Sequence, residues 1–256
     1  MTDHTPTEAY SFDYYEELPA DKERVWSLLK TYNHIPANEV ERHLRDIREK
    51  GWKVFPYECI SHWIFLDCVI TSSPEYPNIL ECLKSGGVLL DAGCAFGYVL
   101  RQLAMDGAPA ANLIGTDMQQ GFLDLGYDLF KDRDTLEGRF LAGDLLNPNN
   151  HSLDELNGKV DIIHAAALFH LFDWEDQVIL GIRLVKFFKK DASKAMINED
   201  VPGWYRHNLD TWQDLWDEIH DKTGTKWKVN GTIREMQQST QGSSGRAGLN
   251  FVINKV

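Results

Sequence analysis

What the chain lacks narrows its class first. Its four cysteines, Cys59, Cys68, Cys82 and Cys94, show no CxxC spacing, so neither a zinc ribbon nor a dithiol redox motif is encoded. They read as reduced, mostly buried thiols, and no metal is expected. No apolar run approaches the roughly 20 residues of a membrane span. The opening "MTDHTPTEAYSFDYYEELPADKE" is polar and acidic and has neither the charged nor the apolar region of a signal peptide, so the expected location is the cytoplasm. No block of Lys and Arg is long enough to track a phosphate backbone. With 26 Lys+Arg against 39 Asp+Glu, nucleic acid and membrane surfaces are not expected partners. There is no internal repeat.

What is present is an ordinary globular composition, 43% hydrophobic and 25% charged over 256 residues. That length supports one large domain, or a domain with an accessory layer. Residues 1 to about 12 read as disordered. Apolar residues fall at helical spacing over 21–30 and 38–50, separated by Pro36, with Asn38 placed to cap the second helix. The apolar stretch about 59–70 reads as a buried helix. A turn at Ser73-Pro74 follows, then a short helix ending at Gly86-Gly87.

From there short apolar runs alternate with helical patterns. Strands are expected at 87–93, 111–117, 138–144, 160–168 and 194–200, with helices at about 97–106, 119–132 and 174–190. A helix over 209–223 carries Trp212, Leu215, Trp216 and Ile219 on one face. Two closing strands, 225–235 and 248–256, flank a polar loop. Repeated strand–helix units predict an α/β fold: a Rossmann-like, seven-stranded, mostly parallel sheet with one antiparallel edge strand and an N-terminal helical lid. The expected division is residues 1–85 as a helical cap and 86–256 as the ligand-binding domain.

Ligands in such sheets bind beyond the carboxyl ends of the strands. Those ends hold Asp91-Ala92-Gly93, Asp117, Asp144 and His164 through His170. Each carboxylate alone has a plain structural role, as a helix-terminus charge, a cap or a turn residue. Three in register with a glycine turn favour a ligand. Gly93-Cys-Ala-Phe-Gly97 is not the G-x-G-x-x-G of a dinucleotide site, and Asp91 before it suits a pyrophosphate poorly. A carboxylate at the second strand end suits paired ribose hydroxyls, and one at the third can accept from an adenine amino group. An adenosine with an ammonium and no phosphate describes S-adenosylmethionine.

"LLDAGCAFG" resembles the first motif of class I S-adenosylmethionine-dependent methyltransferases, with Ala95 where the middle glycine usually stands. "LIGTDM", "GDLL" and "VDIIHAAALFHLFDW" resemble the next three motifs in order. More narrowly, "YYEELP", "GYDLFKD", "IIHAAALFHLFDWEDQ" and "LWDEIHDKTGTKWKV" resemble fungal secondary-metabolism methyltransferases acting on meroterpenoids and related polyketides, which often methylate a carboxyl oxygen. "CISHWIF" replaces an expected Gly-Arg stretch, and "MINEDVPGWYRHN" is shorter than the family pattern.

The resemblance implies a cofactor cradle of Tyr14, Asp91, Gly93, Cys94, Gly97, Asp117, Met118, Asp144, Leu145 and Ala165. The N-terminal helices are expected to close over an acceptor pocket, which Tyr15, His62, Trp63, Trp204 and His207 would line and which suits a bulky apolar substrate. His170, just past the fourth strand, is the expected catalytic group, positioning a carboxylate or taking a hydroxyl's proton. His62 and His207 are weaker candidates for that role, and His164 reads as a packed residue. The expected partner is a small-molecule substrate, with a homodimer left open. Two rival readings also stay open on the residues: a cyclase or pericyclase on the same fold without methyl transfer, and a non-catalytic cofactor-binding partner.

Overall fold

The computed structural model describes residues 14–18, 23–190, 192, 194–199, 207–235 and 247–256. Four helices come first: α1 (Glu23–Thr31), α2 (Val40–Val54), α3 (Glu58–Ser61) and α4 (Tyr76–Lys84). Strands and helices then alternate: β1 (Leu89–Ala92), α5 (Tyr98–Met105), β2 (Leu113–Asp117), α6 (Gln120–Phe130), β3 (Arg139–Ala142), β4 (Ile162–Ala166), α7 (Trp174–Phe187) and β5 (Lys194–Glu199). The chain closes with α8 (Leu209–Thr223), β6 (Trp227–Glu235) and β7 (Ala247–Lys255).

The strands lie in the order β3-β2-β1-β4-β5-β7-β6. The first five pair in parallel, and β7 runs antiparallel to both β5 and β6. This corrects one expectation: the antiparallel strand is not at the edge. Phe251 and Ile253 of β7 are fully buried, so that strand gains from a neighbour on each side. β6 exposes Lys228 and Asn230 and tolerates the edge.

β1 is buried along its whole length, as a central parallel strand should be. Its alternate residues feed two cores. Leu89 joins a core with α1, α2, α4, α5 and α6; Leu90 and Ala92 join one with α7 and α8. The N-terminal helices therefore share a core with one face of the sheet. On the other face Trp212, Leu215, Trp216 and Ile219 are all fully buried, the stripe their spacing predicts.

The single helix expected over about 59–70 is broken. α3 ends at Ser61, Trp63 sits in the left-handed region at φ 62°, and short 3₁₀ turns cover Ile64–Leu66 and Val69–Ser72. The cause is a long-range claim on the carbonyls that a continuing helix would use. Arg48, buried in α2, donates from Nε to Ile60 O (2.9 Å) and from Nη2 to Ser61 O, and the Tyr15 amide donates to Ser61 O as well. Asn38 does not cap α2 either; Glu39 holds the N-cap position without a side-chain bond.

Candidate functional site

The turn after β1 is held from three sides. The amides of Gly93 and Cys94 both donate to Thr116 O in β2, at 2.8 and 3.0 Å, and the Gly97 amide donates to Cys94 O at 2.7 Å. Gly93 (φ 73°) and Gly97 (φ 67°) take left-handed conformations that glycine adopts freely. A Cβ on Gly97 would lie 2.5 Å from both the Phe140 ring and the Arg101 guanidinium; one on Gly93 would meet Leu168 at 3.0 Å. Ala95 also has positive φ, 46°, at a cost of roughly 1–2 kcal/mol for a residue with a Cβ.

Arg101 clamps this turn from beneath. It is fully buried and donates from Nη1 to Phe96 O (3.0 Å) and Gly97 O (3.2 Å). Its other edge binds both oxygens of buried Asp132, each at 2.9 Å. Tyr32 also donates to Asp132, and burial beside that carboxylate pushes the phenol up to about 12. Phe96, at the turn's centre, meets Phe65 of the N-terminal region edge-on at 5.0 Å and Phe122 of α6 at 5.5 Å.

Asp117 closes β2 with its carboxylate aimed back at the turn. Oδ2 accepts from the Ala95 amide (3.0 Å) and Oδ1 from the Gln119 amide (2.9 Å). A carboxylate oxygen has two acceptor sites, so each keeps one for a ligand. Burial raises this acid to about 6, against the pull of the two amides, and the charge of Asp91 adds to the rise. Asp144, after β3, is half-buried and accepts from the Leu146 amide in a tight turn (2.9 Å). Leu145 beside it is half-buried, and Met118 is exposed.

Asp91 pairs in register with His164 of β4. Both are buried, and His164 Nδ1 donates to Asp91 Oδ1 at 2.7 Å. Read alone, His164 is a packed residue; only the β1–β4 register sets it beside Asp91. Cys59 of α3 also lies near this region. Burial raises its thiol to about 12, and the nearby Asp117 charge contributes. Cys94 turns its sulfur inward toward Gly115, where burial keeps the thiol protonated.

On the acceptor side, His170 is half-buried in a 3₁₀ turn, Phe169–Leu171, just after Ala167 at φ 50°. Tyr15 and His62 face each other at 4.4 Å between ring centres, and His62 Nδ1 lies 3.2 Å from Glu58. His62 Nε2 is enclosed and has no hydrogen-bond partner among the described residues. Tyr14 stacks 3.7 Å from the Arg48 guanidinium and meets Trp52 edge-on at 5.3 Å.

Three of the expected site residues are buried. Trp63 is fully buried against Arg48 and donates to Tyr15 O (3.1 Å), so it braces the N-terminal segment. His207 is buried between α7 and α8, bonded to Gln177 (2.6 Å) and Thr211, and burial depresses it to about 4; it is a neutral core residue. Ala165 has no exposed surface and belongs to the α7–α8 core; Ala166 and Ala167 carry the strand's open end. Trp204 lies outside the described residues. No three His, Cys, Asp or Glu side chains gather as a metal site among the described residues, and no helix there is long and apolar enough to cross a membrane.

A glycine turn that a Cβ would fill, with carboxylates on two neighbouring strand ends, suits an adenosyl ligand carrying a cation. Comparison with known proteins bears on its identity. A family model described as the meroterpenoid methyltransferase N-terminal domain matches residues 13–66, and one described as a methyltransferase domain matches 89–190. The O-methyltransferase phiE of a fungal species (strain ATCC 74256) is 37% identical over 225 residues, covering 82% of this chain and 74% of that protein. The asnovolin E/chermesin D methyltransferase nvfJ of Aspergillus novofumigatus is 35% identical, covering 90% and 87%. A solved S-adenosylmethionine-dependent methyltransferase from Methanosarcina mazei superposes with a TM-score of 0.54 at 13% identity, over 71% of this chain and 98% of that one, a likeness of fold.

Proposed function

This chain belongs to the S-adenosylmethionine-dependent methyltransferases of fungal secondary metabolism, and we propose that it methylates an oxygen of a small terpenoid or polyketide, a carboxyl group in particular. The observation that carries the reading is the similarity to phiE and nvfJ along more than four-fifths of the chain.

The cofactor supplies an electrophilic methyl group on sulfur. The residues supply place and charge. Asp117 accepts from the ribose hydroxyls through its two remaining lone pairs, Asp144 and Leu145 border the adenine, and Asp91 receives the amino-acid ammonium. Gly93 and Gly97 keep the turn open, with Cys94 contributing its backbone and Met118 an apolar surface. A carboxylate acceptor is already ionised and needs no base. His170 then serves by a hydrogen bond that fixes the attacking oxygen in line with the methyl carbon. Alignment of this kind supplies roughly 7–11 kcal/mol of a barrier in good cases.

Residues 1–85 act in this reading as a cap. α3 meets the cofactor through Cys59, and Tyr15 and His62 look toward the acceptor. The test is release of S-adenosylhomocysteine when the purified protein meets terpenoid carboxylic acids and, separately, the corresponding primary alcohols. The acids should be turned over and the alcohols should not. Turnover confined to the alcohols would reject the carboxyl assignment.

A further inference from the structure

We infer that His164 is a positioning residue for cofactor binding: it locks Asp91 so that one carboxylate oxygen faces the cofactor's amino-acid end. The inference rests on the reading that Asp91 receives that ammonium. Four observations carry it. Asp91 and His164 occupy matched positions on the adjacent parallel strands β1 and β4. Their side chains are almost wholly enclosed, at 5% and 1% exposure, so neither is free to swing into solvent. The contact is 2.7 Å, from Nδ1 to Oδ1. Among the described residues it is the one side-chain hydrogen bond Asp91 makes, which leaves Oδ2 for a ligand.

A carboxylate removed from water is costly unless it is hydrogen-bonded, and here the bonding group also fixes which way the carboxylate turns. Two features sharpen the need. The Asp91 charge is close enough to add to the rise in the Asp117 pKa, so the two carboxylates share one small region and Asp91 needs a partner that fixes its orientation. Cys94, between them, has its thiol held protonated by burial and brings no charge. The donor on this side of Asp91 is His164.

The experiment compares S-adenosylhomocysteine, which carries the amino-acid end, with 5′-methylthioadenosine, which lacks it, by calorimetry on the full chain. In the wild type the homocysteine ligand should bind the more tightly; equal affinities would reject the Asp91 reading itself, whatever His164 does. His164→Leu removes the donor and should weaken S-adenosylhomocysteine at least tenfold while leaving methylthioadenosine within about twofold. His164→Asn places an amide N–H near the Nδ1 position and should restore most of the difference. If the leucine variant does not fold, His164→Gln is read in its place, because its longer side chain carries the amide past Asp91; it should show the same selective loss. Unchanged binding of both ligands, or equal loss of both, would overturn the proposal, since a residue that only packs the strands has no reason to discriminate between them.

Discussion

The carboxylate of Asp117 accepts the main-chain N–H of Ala95 at 3.0 Å, which ties the end of β2 to the centre of the glycine turn after β1. The bond joins the two parts of the cradle and helps hold Ala95 in a conformation that its side chain disfavours.

The charge of Asp117 follows from its surroundings. Folding raises this acid to about 6 through burial, so the ligand-free protein holds the proton more tightly than the unfolded chain does. This group's contribution to stability is full below about pH 4 and is lost as pH rises through about 6. Cofactor affinity runs the other way, because ribose hydroxyls donate to the ionised form. Calorimetry should show S-adenosylhomocysteine binding improving between pH 5 and 7, with a proton released on binding near pH 5.5. Asp117→Asn should flatten that profile, and Asp117→Ala should weaken binding at least tenfold in a folded protein. An unchanged dissociation constant in the alanine variant would remove Asp117 from the site.

Arg101 and Asp132 form a buried ion pair that also holds the carbonyls of Phe96 and Gly97. Arg101→Ala leaves the buried Asp132 charge without its cation, a loss of about 3–5 kcal/mol in denaturant unfolding. Cofactor binding should fall with it, because the turn loses its lower support. A variant of near-native stability would mean that water or another cation takes the guanidinium's place.

Gly97 and Ala95 in this turn should respond differently to substitution. Gly97→Ala faces both positive φ and a Cβ 2.5 Å from the Phe140 ring, and should cost about 2–5 kcal/mol. Ala95→Gly relieves the left-handed strain and adds freedom to the unfolded chain; the two nearly cancel, so the net change should stay within about 1 kcal/mol. Melting curves of the two variants decide this, and a strongly destabilised Ala95→Gly would contradict the strain assigned to Ala95.

His170 tests the acceptor. With a carboxylate acceptor no proton moves, so His170→Ala should lose about tenfold or less, and the wild-type rate should be flat across neutral pH. With a hydroxyl acceptor the mutant should lose about 10²–10⁴ and the wild-type rate should fall toward acid pH, because attack then needs a base. Initial rates from pH 5.5 to 8.5 separate the two.

Local chemistry was legible in the sequence. The run "GVLLDAG" predicts β1 and the start of the turn, because a short enclosed apolar run ending in a small residue and glycine has few other solutions. The spacing of Trp212, Leu215, Trp216 and Ile219 gave the buried face of α8. The unread parts depend on contacts between distant segments. Arg48 takes the carbonyls of Ile60 and Ser61 from twelve and thirteen residues away and so breaks an apolar stretch whose composition reads as one helix. His164 reads as an isolated polar residue in a strand until the β1–β4 register sets it beside Asp91. His207 and Trp63 were assigned to a pocket on residue type, and burial against Gln177 and Arg48 places both in the core. β7 takes the inner position because its Phe251 and Ile253 are buried there, while β6 carries the exposed Lys228 and Asn230 at the edge.

The most direct test of the account is the fate of a labelled methyl group. S-adenosylmethionine carrying a deuterated methyl is incubated with the protein and a terpenoid carboxylic acid, and the product is followed by mass spectrometry before and after mild alkaline hydrolysis. The account predicts one labelled methyl per product molecule, an equal amount of S-adenosylhomocysteine, and loss of the label as methanol on hydrolysis, as an ester requires. A rearranged product of unchanged mass with no S-adenosylhomocysteine, or a labelled product that resists alkali as an ether does, would contradict it.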